Sequence, residues 1–330
     1  MNEYKKYTIS TFSLITIFII LSSIYNCFWG KDSGASLWIE MLYNKKLEYA
    51  RGIKQPKIVI VGGSNALFSI KAAEIEKELN IPVVNAGTHA GLGLVYLLYK
   101  AKEDFLKSND TVLLSIEYKL FKNDMDNEEV LINYVKTFDR EYFNTISLNE
   151  KIKGLTEKSL KNPLNLLKIK TQQNAINSED LTEATYNPEN INIHGDQLKA
   201  VGQLTELFNK RNELQEDLKE NLNVKNYPVK KIEEFLNWCD GNNINVIYTF
   251  PSLPYYEEYD SAQYQRLRRD LEEFFKQRNV PVLNTEDVYY LDNKYFYDTV
   301  YHLNTEGRKV RTQAVIRELK KLELFNKKNN

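Results

Sequence analysis

Lys57-Ile58-Val59-Ile60-Val61-Gly62-Gly63-Ser64-Asn65 is the stretch on which the fold turns. Four consecutive β-branched residues bounded by a lysine and by glycines predict a short strand buried on both faces, the kind that parallel sheets place at their centre. The two glycines that follow allow a sharp turn and a close backbone approach. Ser64 therefore leaves the sheet at the end of its first strand, and a helix is predicted a few residues on.

Working outward, the chain alternates. A helix is predicted over Ser69–Leu79, with Ile70, Ala73, Ile75 and Leu79 at its apolar positions, then a strand at Val83-Val84 after the turn Asn80-Ile81-Pro82. The loop Asn85–Gly93 is rich in small residues and leads into a helix reaching Leu106, and Val112–Ile116 is the third strand. Strand, helix, strand, helix, strand at this spacing predicts a parallel sheet with right-handed crossovers. From Lys119 to Asn226 no strand is recognisable, so this segment reads as a mostly helical cap inserted over the strand ends. It is expected to hold a loop over Asn174–Asp196 and a long helix over Gln197–Leu222. The alternation resumes with a helix at Lys230–Asp240, a strand at Val246–Phe250, a helix at Ser261–Gln277, a strand at Val280–Leu283 and a last helix at Thr305–Leu322. The fold class is α/β, with a sheet of about five strands.

The 330 residues carry 44 Lys+Arg against 45 Asp+Glu, a formal net charge of -1, so no global basic character points to nucleic acid. Cys27 and Cys239 are too few and too far apart for a disulfide scaffold or a zinc cluster and read as structural thiols; a lipoprotein cysteine is the alternative for Cys27, against a poor match at Ile24-Tyr25-Asn26. From Tyr7 to Gly30 there is no charged residue, and Phe12, Leu14, Ile15, Ile17, Phe18, Ile19, Ile20 and Leu21 make the run strongly apolar. That is long enough for a bilayer-spanning helix, which needs about 20 residues. Lys5 and Lys6 before it predict a cytoplasmic amino terminus, and Tyr25, Phe28 and Trp29 an aromatic belt at the far side. A cleaved signal peptide is the rival, without an Ala-x-Ala site. The expected organisation is an anchor over 1–30 and a juxtamembrane helix over 31–56 (Leu37, Trp38, Met41 and Leu42 at helical spacing) standing the domain off the bilayer. The α/β domain then follows over 57–325, outside the cytoplasm.

Three blocks carry chemistry. Ser64 is a candidate nucleophile, although Gly62-Gly63-Ser64-Asn65-Ala66 is not the Gly-x-Ser-x-Gly elbow of α/β-hydrolases. His302, one of three histidines with His89 and His194, is the candidate base, with Asp298 four residues before it, a spacing that shares a face if the segment makes a helical turn. The loop Asn85–Gly93 offers backbone N–H groups, at Gly87, Ala90 and Gly91, for an oxyanion. Each block also has a purely structural reading: a tight strand-to-helix turn, a surface ion pair, an ordinary glycine-rich connection. The glycine spacing does not match a dinucleotide fingerprint.

In this order the blocks resemble the SGNH (GDSL-like) hydrolase superfamily: a serine after the first strand, a glycine in the next loop, an Asn after the third strand and an Asp-x-x-His near the carboxyl terminus. The resemblance spans about 56–320, interrupted by the insertion, and implies a three-layer flavodoxin-like sheet. The matches are Ser64, Gly87 or Gly91, and Asp298 with His302. The chain departs from the pattern twice. Ser115-Ile116-Glu117-Tyr118 after the third strand has no Asn, and one extra residue separates Asp298 from His302. The missing donor falls to Asn65, to Ser64 or to a backbone N–H, and Glu117 is a possible second acidic partner. Membrane-anchored members of that superfamily look like partners of membrane-bound O-acyltransferases that modify exported polysaccharides. The resemblance thus implies an O-acyltransferase or esterase, O-acetyl in its commonest form, with a serine acyl-enzyme, no cofactor and no metal. Tyr256 and Tyr301, with Tyr255, Tyr259 and Tyr297 nearby, are candidates to stack on sugar rings. A catalytically inactive glycan-binding or scaffold module on the same fold is the alternative. A metal-dependent hydrolase is disfavoured by the absence of His-x-His or His-Glu-x-x-His.

Overall fold

The computed structural model describes residues 4, 7, 8, 10–18 and 21, then 34–122, 129–151, 187–200, 215, 218, 219 and 221–326. In chain order the elements that matter are α1 (Gly34–Gly52), β1 (Ile58–Val61), α2 (Ser64–Ser69), α3 (Ala72–Leu79), β2 (Val83–Asn85), α4 (Leu94–Lys100) and β3 (Thr111–Leu114). After these come α5 (Glu129–Phe138), α6 (Arg140–Thr145), α7 (Tyr227–Gly241), β4 (Asn245–Tyr248), α8 (Ala262–Lys276) and α9 (Thr305–Leu319).

Among the described residues the main sheet has four strands, all parallel, in the order β2-β1-β3-β4. The alternation of side chains along each strand divides the core in two. Ile58, Ile60, Val83, Leu113 and Ile247 face one apolar cluster, shared with Ile75 of α3 and Val315, Ile316 and Leu319 of α9. Val59, Val61, Val84, Val112, Leu114 and Tyr248 face the other, shared with α1, α4, α5, α7 and α8. Burial on both faces is why the strands read as unbroken apolar runs rather than alternating ones. The order reverses between β1 and β3, and ligands in such sheets bind outside the carboxyl ends of the strands at that switch point.

The structure corrects three expectations. The fifth strand contracts to one bridge, Tyr248 to Val282, held by the Tyr248 N–H on the Pro281 carbonyl and the Leu283 N–H on the Tyr248 carbonyl, both 2.9 Å; Pro281 has no N–H to extend the ladder. A separate two-residue pairing, Leu253–Pro254 with Tyr290–Leu291, forms instead beyond the sheet. The helix expected over Ser69–Leu79 starts already at Ser64 and breaks at Ile70, which is extended (φ -122°, ψ 136°) and fully buried. Helix α3 then restarts with the N–H groups of Ala72 and Ala73 on the Asp196 carboxylate, 2.6 and 2.9 Å away, a cap contributed from far along the chain. Gln197–Ala200 is not helical: Gln197 bridges to Ile191, and the Ala200 carbonyl accepts the Thr305 N–H at 2.9 Å. Most of the remainder of the expected long helix, like most of Asn174–Asp196, lies outside the described residues; of that remainder, 215, 218 and 219 are helical.

Helix α1 packs into the domain itself. Trp38, Ile39, Leu42, Tyr43, Leu47 and Ala50 are buried in the same core as the sheet, so the α/β unit begins at α1. The expected anchor over 1–30, with Cys27, lies largely outside the described residues; among those described, no helix is long and apolar enough to cross a membrane. Cys239 is buried on α7, and desolvation pushes its thiol up to about 12, which suits an inert structural group.

Candidate active site

The turn after β1 is held so tightly that its glycines are obligatory. A Cβ on Gly62 would sit 1.9 Å from the Ser115 carbonyl oxygen. One on Gly63 would sit 2.6 Å from Glu117 Oε1 and 2.8 Å from the Ala90 Cα. The exits of β1 and β3 and the 85–93 loop therefore converge on the residue just before Ser64.

Beneath this turn runs a buried polar network. Glu117 accepts the Asn65 N–H on Oε1 at 2.8 Å and the Gly63 N–H on Oε2 at 3.2 Å. Asn65 Nδ2 donates to Ser115 Oγ at 2.8 Å, while Asn65 Oδ1 accepts from Arg311 of α9 at 2.7 Å. Arg311 also donates to Ser115 Oγ and to the Phe250 carbonyl, both 2.8 Å. All of these side chains are essentially inaccessible to water. Burial pulls the Arg311 guanidinium down to about 10, opposed by the Glu117 carboxylate, so it stays charged near neutrality. Arg311 went unrecognised because an arginine in a terminal helix normally reads as a solvated face. The signal was its register: Arg308, Arg311, Val315 and Leu319 form one helical stripe, and that stripe is buried.

Above the turn lies a second arrangement. His302 Nδ1 is 2.7 Å from Asp298 Oδ1, so the extra residue between them does not keep the pair apart. The His302 N–H reaches the Thr299 carbonyl at 3.3 Å, and this turn accommodates the longer spacing. The His302 ring lies flat on Phe68, with centroids 4.2 Å apart and planes inclined by 11°. Phe68 is one helical turn after Ser64 on α2, the spacing that puts two side chains on one face. Helix α2 thus carries the candidate nucleophile and the seat of the candidate base on one side. The Ser69 hydroxyl, 3.3 Å from the Tyr301 carbonyl, ties the same helix to the histidine segment.

The other expected site residues divide. Glu117 is not hydrogen-bonded to His302; both its oxygens hold the Ser64 turn, so it is a turn support rather than a second triad acid. The Gly87 N–H is engaged by Asn85 Oδ1 at 3.0 Å, the Gly91 N–H by His89 Nδ1 at 2.9 Å, and the Asn65 side chain by the network below. These three expected oxyanion donors are committed within the protein. No described residue engages the N–H of Ser64 or of Ala90, and the two flank Gly63. Tyr256 and Tyr301 are buried in the main core, Tyr256 edge-on to Tyr259 at 5.3 Å, so neither ring is laid open for a sugar.

Lys46 of α1 was not anticipated. It is buried, donates to the Gly87 carbonyl in the 85–93 loop, and is pulled by desolvation down to about 7, with Asp196 opposing. A cavity of about 860 Å³ lies elsewhere. It is lined by Asn237, Asp240, Asn245 and Arg278, without a nucleophile–base pair. Comparison with protein-family models and with curated proteins finds no match to this chain.

Proposed function

We propose that the protein is an SGNH-type serine esterase or O-acyltransferase, probing ester chemistry at Ser64 with His302 as base and Asp298 as the acid that orients it. The observation that carries this reading is the 2.7 Å Asp298–His302 pair stacked on Phe68, one turn along the helix from Ser64. Asp298 on Nδ1 leaves Nε2 as the nitrogen that exchanges the serine proton. In the first half-reaction Ser64 is acylated and an alcohol leaves; in the second a sugar hydroxyl, or water, takes the acyl group. The acceptor is an exported polysaccharide or cell-wall glycan, and the acyl group is acetyl. The charge-free run Tyr7–Gly30 supports a single-pass anchor with the domain outside the cytoplasm, where a membrane-bound O-acyltransferase is the acyl donor's source.

The test is turnover of a chromogenic acetyl ester, with and without a glycan acceptor. Ser64→Ala and His302→Ala are each expected to bring turnover to background. A Ser64→Ala protein that still hydrolysed the ester at the parent rate would contradict the reading.

One observation favours a second reading, a non-catalytic glycan-binding or scaffold module: the commitment of the Gly87, Gly91 and Asn65 donors within the protein. It predicts no turnover by the parent and glycan binding that survives in the Ser64→Ala/His302→Ala double variant.

A further inference from the structure

Resting on the acyl-enzyme reading, we propose that His89 is a catalytic residue: its Nε2–H donates to the carbonyl oxygen of the bound ester as negative charge develops there, in place of the donors that are engaged elsewhere. The ring's protonation pattern follows from geometry. A backbone N–H can only donate, so the 2.9 Å contact from the Gly91 N–H makes His89 Nδ1 an acceptor. The neutral ring then carries its proton on Nε2, and no described residue accepts from it.

The ring is also held in place. Its edge meets Trp38 at 6.3 Å with planes at 82°. A Cβ on Gly91 would come within 2.9 Å of Nδ1 and 3.1 Å of the Val130 Cβ, so residue 91 is glycine to let the ring close onto its backbone. The next residue, Ala90, abuts Gly63, which precedes Ser64. His89 is thus fixed beside the nucleophile's turn and within electrostatic reach of His302. Burial, Lys119 and His302 together push it down to about 4, so it remains neutral wherever the enzyme would work.

Neutrality matters mechanistically. As Ser64 Oγ bonds to the ester carbon, its proton passes to His302, and the carbonyl π pair moves onto oxygen. His302 becomes cationic at that moment, and a second imidazolium nearby would oppose it. A neutral Nε2–H stabilises the oxyanion without that penalty, as neutral imidazoles do at other carbonyl-polarising sites. The C–O bond to the leaving alcohol then breaks, the pair returns to the carbonyl, and His302 passes its proton to the departing oxygen. Attack by water or a sugar hydroxyl repeats the sequence in reverse, and His89 serves both halves.

Two variants separate a donor role from a structural one. His89→Asn keeps an acceptor for the Gly91 N–H but loses the distal donor; His89→Gln presents an N–H near the Nε2 position but loses the acceptor. With kcat for the acetyl ester referred to the folded fraction, His89→Asn is expected to lose about 10²- to 10³-fold with little change in KM, the cost of one oxyanion donor. His89→Gln is expected to retain at least about tenfold more kcat than His89→Asn. Equal values, or the reverse ranking, would overturn the proposal while parent turnover and labelling of Ser64 left the acyl-enzyme reading standing. A parent that neither turns over nor labels at Ser64 would overturn that reading and this proposal together.

Discussion

The two ends of the central strands hold buried charge in different ways. At the amino end, Lys57 and Asp110 pair at 2.5 Å, and the Asp110 carboxylate also accepts the Lys57 N–H at 3.0 Å and the Lys107 N–H at 2.8 Å. That pair ties the entries of β1 and β3 together, and both side chains are buried. At the carboxyl end, Arg311, Asn65, Ser115 and Glu117 make a comparably sealed network, but it is only a foundation. Above it stand the Ser64 hydroxyl, the Ser64 and Ala90 N–H groups and the His89 Nε2–H, none engaged by a described residue. Satisfied buried charge registers strands, whereas unsatisfied polar capacity on a rigid base is what binding and catalysis require.

The largest effect that separates the ends is on turnover. Asp298→Asn should leave the fold intact and lower kcat by about 10³- to 10⁴-fold, because the amide no longer fixes the tautomer that puts a lone pair on His302 Nε2. Steady-state kinetics beside a circular dichroism spectrum checks this.

Next come the networks themselves. Lys57→Met and Arg311→Met should each destabilise by about 3–5 kcal/mol in urea titration, since each strands a desolvated partner. The conservative change distinguishes them. Arg311→Lys keeps the charge but not the forked donation to Asn65 and Ser115, and should lower kcat at least about tenfold by loosening the Ser64 turn. Lys57→Arg should leave kcat unchanged. Equal losses of activity from both ends would break the contrast.

The smallest effect concerns pH. Lys46 has a folded-state pKa of about 7, below its unfolded value of about 10.4. Between these values the unfolded chain binds more protons, so this lysine makes stability rise with pH from 7 to 10, by at most about 1.4 kcal/mol per unit, and its full cost is present below 7. Lys46→Met should flatten that rise in urea midpoints measured across the window; an unchanged slope would mean that Lys46 is not desolvated as described.

Much of this was legible from local pattern. Ile58–Val61, the loop after it, and the order Ser64 before His302 all follow from glycine placement and strand–helix alternation; the Asp298–His302 pair forms at the expected four-residue separation, through bends and a turn rather than a helix. What escaped was non-local. Asp196 caps α3 from far along the chain, and no window around Ala72 contains it. Arg311 is a core residue only because Asn65 and Ser115 are brought beneath its helix. Nor did the pattern show that Asn85 and His89, two residues before Gly87 and Gly91, turn back on those N–H groups. That competition between side chain and backbone is common for short polar residues beside small ones. The fifth strand was overextended because the apolar pattern of Val280–Leu283 outweighed the proline within it.

The most direct test of the acyl-enzyme account is peptide mapping of the protein after reaction with a serine-directed fluorophosphonate. A single adduct on Ser64, absent from Ser64→Ala and formed far more slowly by His302→Ala, is the expected result. Failure of the folded parent to form an adduct, or an adduct on another residue that persists in Ser64→Ala, would contradict it.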